Sequence, residues 1–317
     1  MTPRRKKRLL ILLGALLIVF SLGFGAYPYL AVTAPVGASA VAVEGWIPDA
    51  MMPAVKAEID RRGYASVYTT GTIRPFSYYL KKGEAIDVVL SGPVRGEVRM
   101  NVSGIGGAGF LLIAGTDTLI NQLVTGEPHR YSTHLPNPVD HLRVVSFNTS
   151  VPPAELDNIF VNYLRISWVN VHEISRSVEF VHADSTRAQA WPTYAHASAA
   201  YLERLGISAE RIIIAPAKDP TVSRTLANAQ GFALRAKENG LGKVDVLSLG
   251  VHARRSRKMY RKACGDAMEV GVIALRDPEA PPGEWWKSLR GWFKVAKELA
   301  GVPVSSLFEA EEVESKP

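Results

Sequence analysis

Residues 101–116 read NVSGIGGAGFLLIAGT, and GIGGAG (104–109) has the G-x-G-x-x-G spacing of a dinucleotide-binding turn. That turn needs a strand before it and a helix after it, because the helix N-terminus holds the pyrophosphate. The next residues are FLLIAG (110–115), a short uniform apolar run closed by Gly115, without helical periodicity. Glu127 lies at a plausible distance for a ribose-binding acid, but in TGEPHR, which reads as a turn. The glycines therefore read as a turn between strands, with no Rossmann cofactor implied.

The surrounding residues extend this reading. AIDVVLSG (85–92), GEVRMNVSG (96–104), FLLIAG, TLINQLV (118–124), LRVVSFN (142–148), IFVNYLRISWVNV (159–171) and VEFVHA (178–183) are short apolar pieces separated by turn residues. Such spacing predicts a β-sandwich over residues 78–181. His129, His134 and His141 fall in its polar, Pro-containing part and read as surface loop.

On either side the pattern alternates strand and helix. SAVAVEG (39–45) and YASVYTTG (64–71) flank a helix marked by Met52, Val55 and Ile59. RIIIAPA (211–217), VDVLSLG (244–250) and EVGVIAL (269–275) read as strands between helices, and 33–39 reads as a tether. The last helix, Glu284 to about Leu299, carries Trp285, Trp286, Leu289, Trp292, Phe293 and Ala296 on one face. Short apolar strands between helices predict an α/β fold, a doubly wound, Rossmann-like parallel sheet. It spans 40–77 and 182–308, interrupted by the sandwich and closed by an acidic tail (309–317).

The net charge of +7 is local: Arg4, Arg5, Lys6, Lys7 and Arg8 carry five of it, leaving +2 for the rest. A nucleic-acid reader needs a basic stripe on its folded part, so no nucleic-acid partner is expected. After Arg8, eighteen residues (9–26) carry no charge, followed by Tyr27 and Tyr29. The run predicts a transmembrane signal anchor over 9–31, with the tyrosines in an interfacial belt. The positive-inside rule puts the basic tail in the cytoplasm and the main domains outside a bacterial inner membrane. A second expectation rests the last helix, with Lys287, Arg290, Lys294 and Lys297, on the membrane surface. The single cysteine, Cys264, excludes an intramolecular disulfide.

In an open parallel sheet, ligands bind outside the carboxyl ends of the strands. Glu44, Thr70, Gly71, Lys218, Ser223, Arg224, Thr225, Asn228, His252 and Arg255 fall there. The cationic members, with helix N-termini beside them, suit an anion such as phosphate. His252 is the candidate acid or base and Arg255 the candidate charge stabiliser.

GVHARRSRKMY (250–260) resembles the H-x-x-R-A element of the ElyC/SanA/YdcF family, the domain of unknown function 218. SRTLANA (223–229) resembles its S-x-x-T-x-E-N-A element, YASVYTTG its S-G-G strand, and YLERLGISAERI (201–212) its Y-L-x-x-L-G segment. The resemblance covers about 40–75 and 185–308. It implies a single-pass envelope protein of peptidoglycan or surface-polysaccharide biogenesis, with a site at Thr70, Gly71, Ser223, Thr225, Asn228, His252 and Arg255. Ala227 and Tyr194 stand where the family has acids, which favours binding of an anionic small molecule or lipid-linked sugar over hydrolysis or transfer. A structural scaffold is the third reading.

Residues 142–171 resemble a strand pair of calcium-dependent xylan-binding modules. That likeness implies calcium at Asn148, Glu155, Asp157 and Asn158, and polysaccharide as a partner. Thr149 and Ile159 depart from its motif. A β-sandwich for carbohydrate or protein contact does not depend on the calcium.

Overall fold

The computed structural model describes residues 25–105, 107–148, 158–218 and 223–304. Among these described residues, those up to Thr72 and from Ser198 onward form one compact unit, and those within Ile73–Ala197 form another.

The first unit is built on five parallel strands, numbered here in chain order: β1 (Ala40–Val43), β2 (Ser66–Gly71), β14 (Ile212–Pro216), β15 (Lys243–Leu249) and β16 (Glu269–Leu275), in spatial order β14-β2-β1-β15-β16. β1 is central and fully buried. Its side chains alternate between two cores, as strand geometry requires. Val41 and Val43 meet Met52, Val55 and Ile59 of α1 (Met52–Arg62) and Leu202 of α2 (Tyr194–Arg204). Ala40 and Ala42 face Phe232 of α3 (Arg224–Glu238) and Met259 and Tyr260 of α4 (Ala253–Cys264). The last helix, α5, is Leu289–Val304.

The second unit holds β3 (Ser77–Lys81), β4 (Ala85–Val94), β5 (Glu97–Gly104), β6 (Ala108–Ala114), β7 (Asp117–Leu123), β8 (His129–His134), β9 (Val139–Asn148), β10 (Asn158–Ile166), β11 (Val169–Asn170), β12 (Ser175–Val181) and β13 (Arg187–Gln189). They form two antiparallel sheets, β11-β10-β5-β8 with β3 on β10, and β13-β12-β4-β9-β6-β7. Met100, Val161 and Leu80 of one sheet share a core with Val88, Phe110 and Val144 of the other. Two sheets closed over one apolar layer make a sandwich.

Several expectations change. The chain as a whole is not an α/β fold of Rossmann-like type with a transmembrane helix. Eleven of the sixteen described strands are antiparallel, so β-sheet dominates. The middle of the chain shifts the balance, because polar strands such as β8 and β13 join the sheets beside the apolar ones. Among the described residues no helix is long and apolar enough to cross a membrane. Residues 9–24 of the expected anchor, the basic tail and the acidic tail lie outside the described residues. Tyr27 is not in an interfacial belt: it is buried, stacks on Trp285 (6.3 Å) and donates to the Ala280 carbonyl (2.9 Å). Residues 33–39 are no free tether. Ala34 pairs with Val272 of β16, and the Val36 amide donates to Asp245 Oδ1 (2.8 Å). His129, His134 and His141 lie in strands β8 and β9 rather than a loop.

GIGGAG joins β5 to β6, strands of different sheets. A Cβ on Gly104 would meet Val124 Cγ2 at 2.4 Å, and one on Gly109 would meet Phe147 Cζ at 2.4 Å and the Gln122 carbonyl oxygen at 2.7 Å. Gly104 and Gly109 are there for close packing.

One buried histidine gives this unit a pH dependence. Nδ1 of His172 contacts the Arg74 carbonyl (2.8 Å) and Nε2 contacts Tyr78 OH (2.9 Å). With the proton on Nδ1, both nitrogens are satisfied in the neutral ring. Burial lowers its pKa from 6.5 to about 4. Between these values the unfolded chain binds the proton and the folded chain does not. We expect the sandwich to lose about 2–3 kcal/mol as pH falls from 6.5 to 4. Hydrogen exchange of β3 and β12 against pH reads this directly, and His172→Phe should flatten the profile.

Candidate functional site

A cleft of about 700 Å³ opens at the carboxyl ends of the parallel strands. β1 delivers Trp46, Ser223, Arg224 and Thr225 stand at the start of α3, β15 delivers His252 and Arg255, and Asp277 follows β16. From α5, Lys294, Lys297 and Glu298 form the remaining wall.

Glu298 organises the site. It is buried, yet accepts two bonds from Arg255, Nε to Oε2 (2.8 Å) and Nη2 to Oε1 (2.9 Å), and its Oε1 lies 3.0 Å from His252 Nδ1. Burial pushes its carboxyl up, but the bonds and charges of His252 and Arg255 outweigh that and hold it at about 2. His252 Nδ1 also lies 2.9 Å from Arg255 Nη2, and Nε2 lies 3.4 Å from Thr225 Oγ1. The Trp46 ring packs edge-on against the imidazole at 4.4 Å. The imidazole is thereby held in orientation, as an acid–base group requires.

Thr225 is placed by the local sequence. Ser223 caps α3 by accepting from the Leu226 amide (3.4 Å). The amides of Arg224 and Thr225 thus stand in the first turn of a fifteen-residue helix, where partial positive charge collects. Four cationic side chains line the cleft against three carboxylates. Lys294 is engaged by Asp277 (2.6 Å) and Glu279 (2.7 Å), and Arg255 by Glu298. Among the described residues that leaves Arg224 and Lys297, both exposed, to meet an anion.

Of the residues singled out in the sequence, Ser223, Arg224, Thr225, His252 and Arg255 line the cleft together. Arg255 holds Glu298 instead of standing free as a charge stabiliser. Glu44 and Thr70 lie beneath, fully buried. Glu44 Oε2 accepts from Ser256 Oγ (2.7 Å), which is 3.0 Å from Ser248 Oγ. Thr70 Oγ1 donates to the Val43 carbonyl (3.1 Å) and lies 3.1 Å from Tyr260 OH. Asn228 Oδ1 and Glu44 Oε1 are buried without a partner among the described residues. Gly71 pairs with Pro216 inside the sheet, and Lys218 is exposed and does not line the cleft.

For the calcium candidates, Asn148 ends β9 and Asn158 begins β10, while Glu155 and Asp157 lie outside the described residues. Among the described residues no cluster of three His, Cys, Asp or Glu side chains is arranged to hold a metal.

Glu298 and Asp277 were missed. The signal for Glu298 was its place in the buried stripe of α5, with Gly291 and Val295 at helical spacing. The stripe expected from the tryptophans is not the one that packs: Trp285 is buried ahead of the helix, and Leu289 and Phe293 point outward.

No protein-family model matches the chain, and no curated protein matches its sequence. Weak structural similarity to carbohydrate-binding modules covers about 30% of it. A mutant of a family 29 carbohydrate-binding module complexed with mannohexaose is similar at 13% identity over 32% of this chain and 78% of that one, with a TM-score of 0.23. A Yersinia pseudotuberculosis-derived mitogen gives 12% identity, 30% and 86% coverage, and a TM-score of 0.21. A family 4 carbohydrate-binding module gives 10%, 29% and 59%, and a TM-score of 0.17. At such scores no functional conclusion passes from those proteins to this chain.

Proposed function

We propose that the cleft takes a phosphate-bearing ligand and that His252 performs acid–base chemistry on it. The observation that carries this reading is the held imidazole of a cleft-lining residue, with Nδ1 beside Glu298 and Arg255 and Nε2 beside Thr225. The first turn of α3, Arg224 and Lys297 supply the anion's charge partners. In hydrolysis, Nε2 takes the proton of a water whose oxygen attacks phosphorus, and the imidazolium returns it to the departing oxygen. Glu298 supplies the carboxylate that Ala227 and Tyr194 lack, so the enzyme reading gains over pure binding. The ligand class is a sugar phosphate or lipid-linked sugar pyrophosphate. The basic tail and the charge-free run after it favour a chain held at a bacterial cytoplasmic membrane, its folded units outside the cytoplasm. The H-x-x-R and T-x-x-N-A pair resembles the ElyC/SanA/YdcF family and favours envelope polysaccharide or peptidoglycan biogenesis. The sandwich would serve carbohydrate contact in that setting.

The test is phosphate release by the detergent-purified full chain from nucleotide sugars and polyprenyl-pyrophosphate analogues. Turnover should fall on the order of 10²-fold or more in His252→Ala. Saturable binding without turnover would remove the chemistry and leave a binding protein. Neither binding nor turnover with any anion would overturn the whole reading.

A further inference from the structure

α5 has two faces. Gly291, Val295 and Glu298 turn inward, while Leu289 is 90% exposed, Phe293 70% and Trp292 37%. Leu289 and Phe293 are one turn apart, so they are neighbours on the helix surface. Scattered exposed apolar residues are ordinary, but a cluster of large ones marks an interaction surface.

The neighbouring segment says what covers it. Trp292 packs on Trp285 (4.8 Å), which stacks on Tyr27. Ala26, Tyr27 and Leu30 share one apolar cluster with Trp285 and Val295. The eighteen-residue charge-free stretch of the sequence therefore ends at this same corner. Tyr29, two residues on from Tyr27, is 49% exposed beneath the Arg254 guanidinium (3.9 Å). Lys287 and Arg290 border the patch and pair with Glu284 and Glu279.

We propose that Leu289, Trp292 and Phe293 are seated in the interfacial layer of a lipid bilayer, resting on the membrane association given under Proposed function. Tryptophan and tyrosine favour that layer. Lysine and arginine stems can lie along apolar surface while their charges stay in water. A helix with an exposed apolar face and bordering cations lies in the plane of the interface.

The test uses the full chain with Cys264→Ser, labelled with an environment-sensitive fluorophore at Phe293→Cys, in phosphatidylethanolamine–phosphatidylglycerol vesicles. Arg235→Cys, at an exposed position on α3, is the control. Position 293 should give blue-shifted emission and lose most of it to lipids carrying a nitroxide near the glycerol backbone, with no such loss at 235. Flotation of the vesicles tests the underlying reading separately. A chain that does not float overturns membrane association, and the inference with it. A chain that floats with position 293 open to an aqueous quencher overturns the inference alone. So does a position 293 shielded from both quenchers, which would show that protein covers the patch.

Discussion

Glu298→Ala is expected to destabilise the unit that carries the cleft by about 3–5 kcal/mol, because it strips a buried carboxylate from its cationic partners. Arg255 keeps its charge and loses both its bonds to the carboxylate, and His252 loses one of the groups that hold its ring. The pH dependence has a definite sign. The folded pKa of Glu298 is about 2, below its ordinary 4.5. Its contribution is thus complete above 4.5 and disappears as pH falls toward 2. Glu298→Gln keeps the shape and removes the charge, so it should lose less stability and still lose turnover. Hydrogen exchange of peptides from α4 and α5 reads the stability locally, which suits a chain of two units that need not unfold together. Wild-type exchange in Glu298→Ala would show that the Arg255 fork contributes nothing.

Gly45→Ala should be at least as severe, with a loss upwards of about 4 kcal/mol. Gly45 comes shortly after β1 and directly before Trp46, which lines the cleft. A Cβ there would lie 2.0 Å from the Thr70 carbonyl oxygen and 2.6 Å from Gly71 Cα. Both obstacles are backbone of the neighbouring strand, so no side-chain rotation relieves them. β1 and β2 would have to part, and Trp46 would leave its edge contact with His252. The thermal midpoint of the variant, followed by hydrogen exchange of β1 and β2, measures this. A variant with wild-type protection in both strands would contradict the close approach.

The sequence revealed elements and junctions better than their closure. Ser223, Thr225 and His252 were legible because a polar residue at a strand-to-helix junction is cheap to recognise. Glu298 was not, because a lone acid within an apolar helix face gains meaning only when Arg255 and His252 arrive from another helix. Pairing at the β16 edge escaped for a related reason: Ala34 makes an isolated bridge beside Pro35, with no periodicity to detect. The balance of the fold was misjudged because exposed strands such as HRYSTH (129–134) and RAQ (187–189) have no apolar alternation. The glycines of GIGGAG were readable from their right-hand neighbours alone, since FLLIAG is too short and uniform for a helix.

The most direct measurement is calorimetric titration of the full chain with inorganic pyrophosphate, beside Arg224→Ala and Lys297→Ala. Saturable binding at the wild-type cleft, weakened in both variants, is the predicted result. Absence of binding by the folded chain, or equal binding by all three proteins, would contradict a phosphate site at the start of α3.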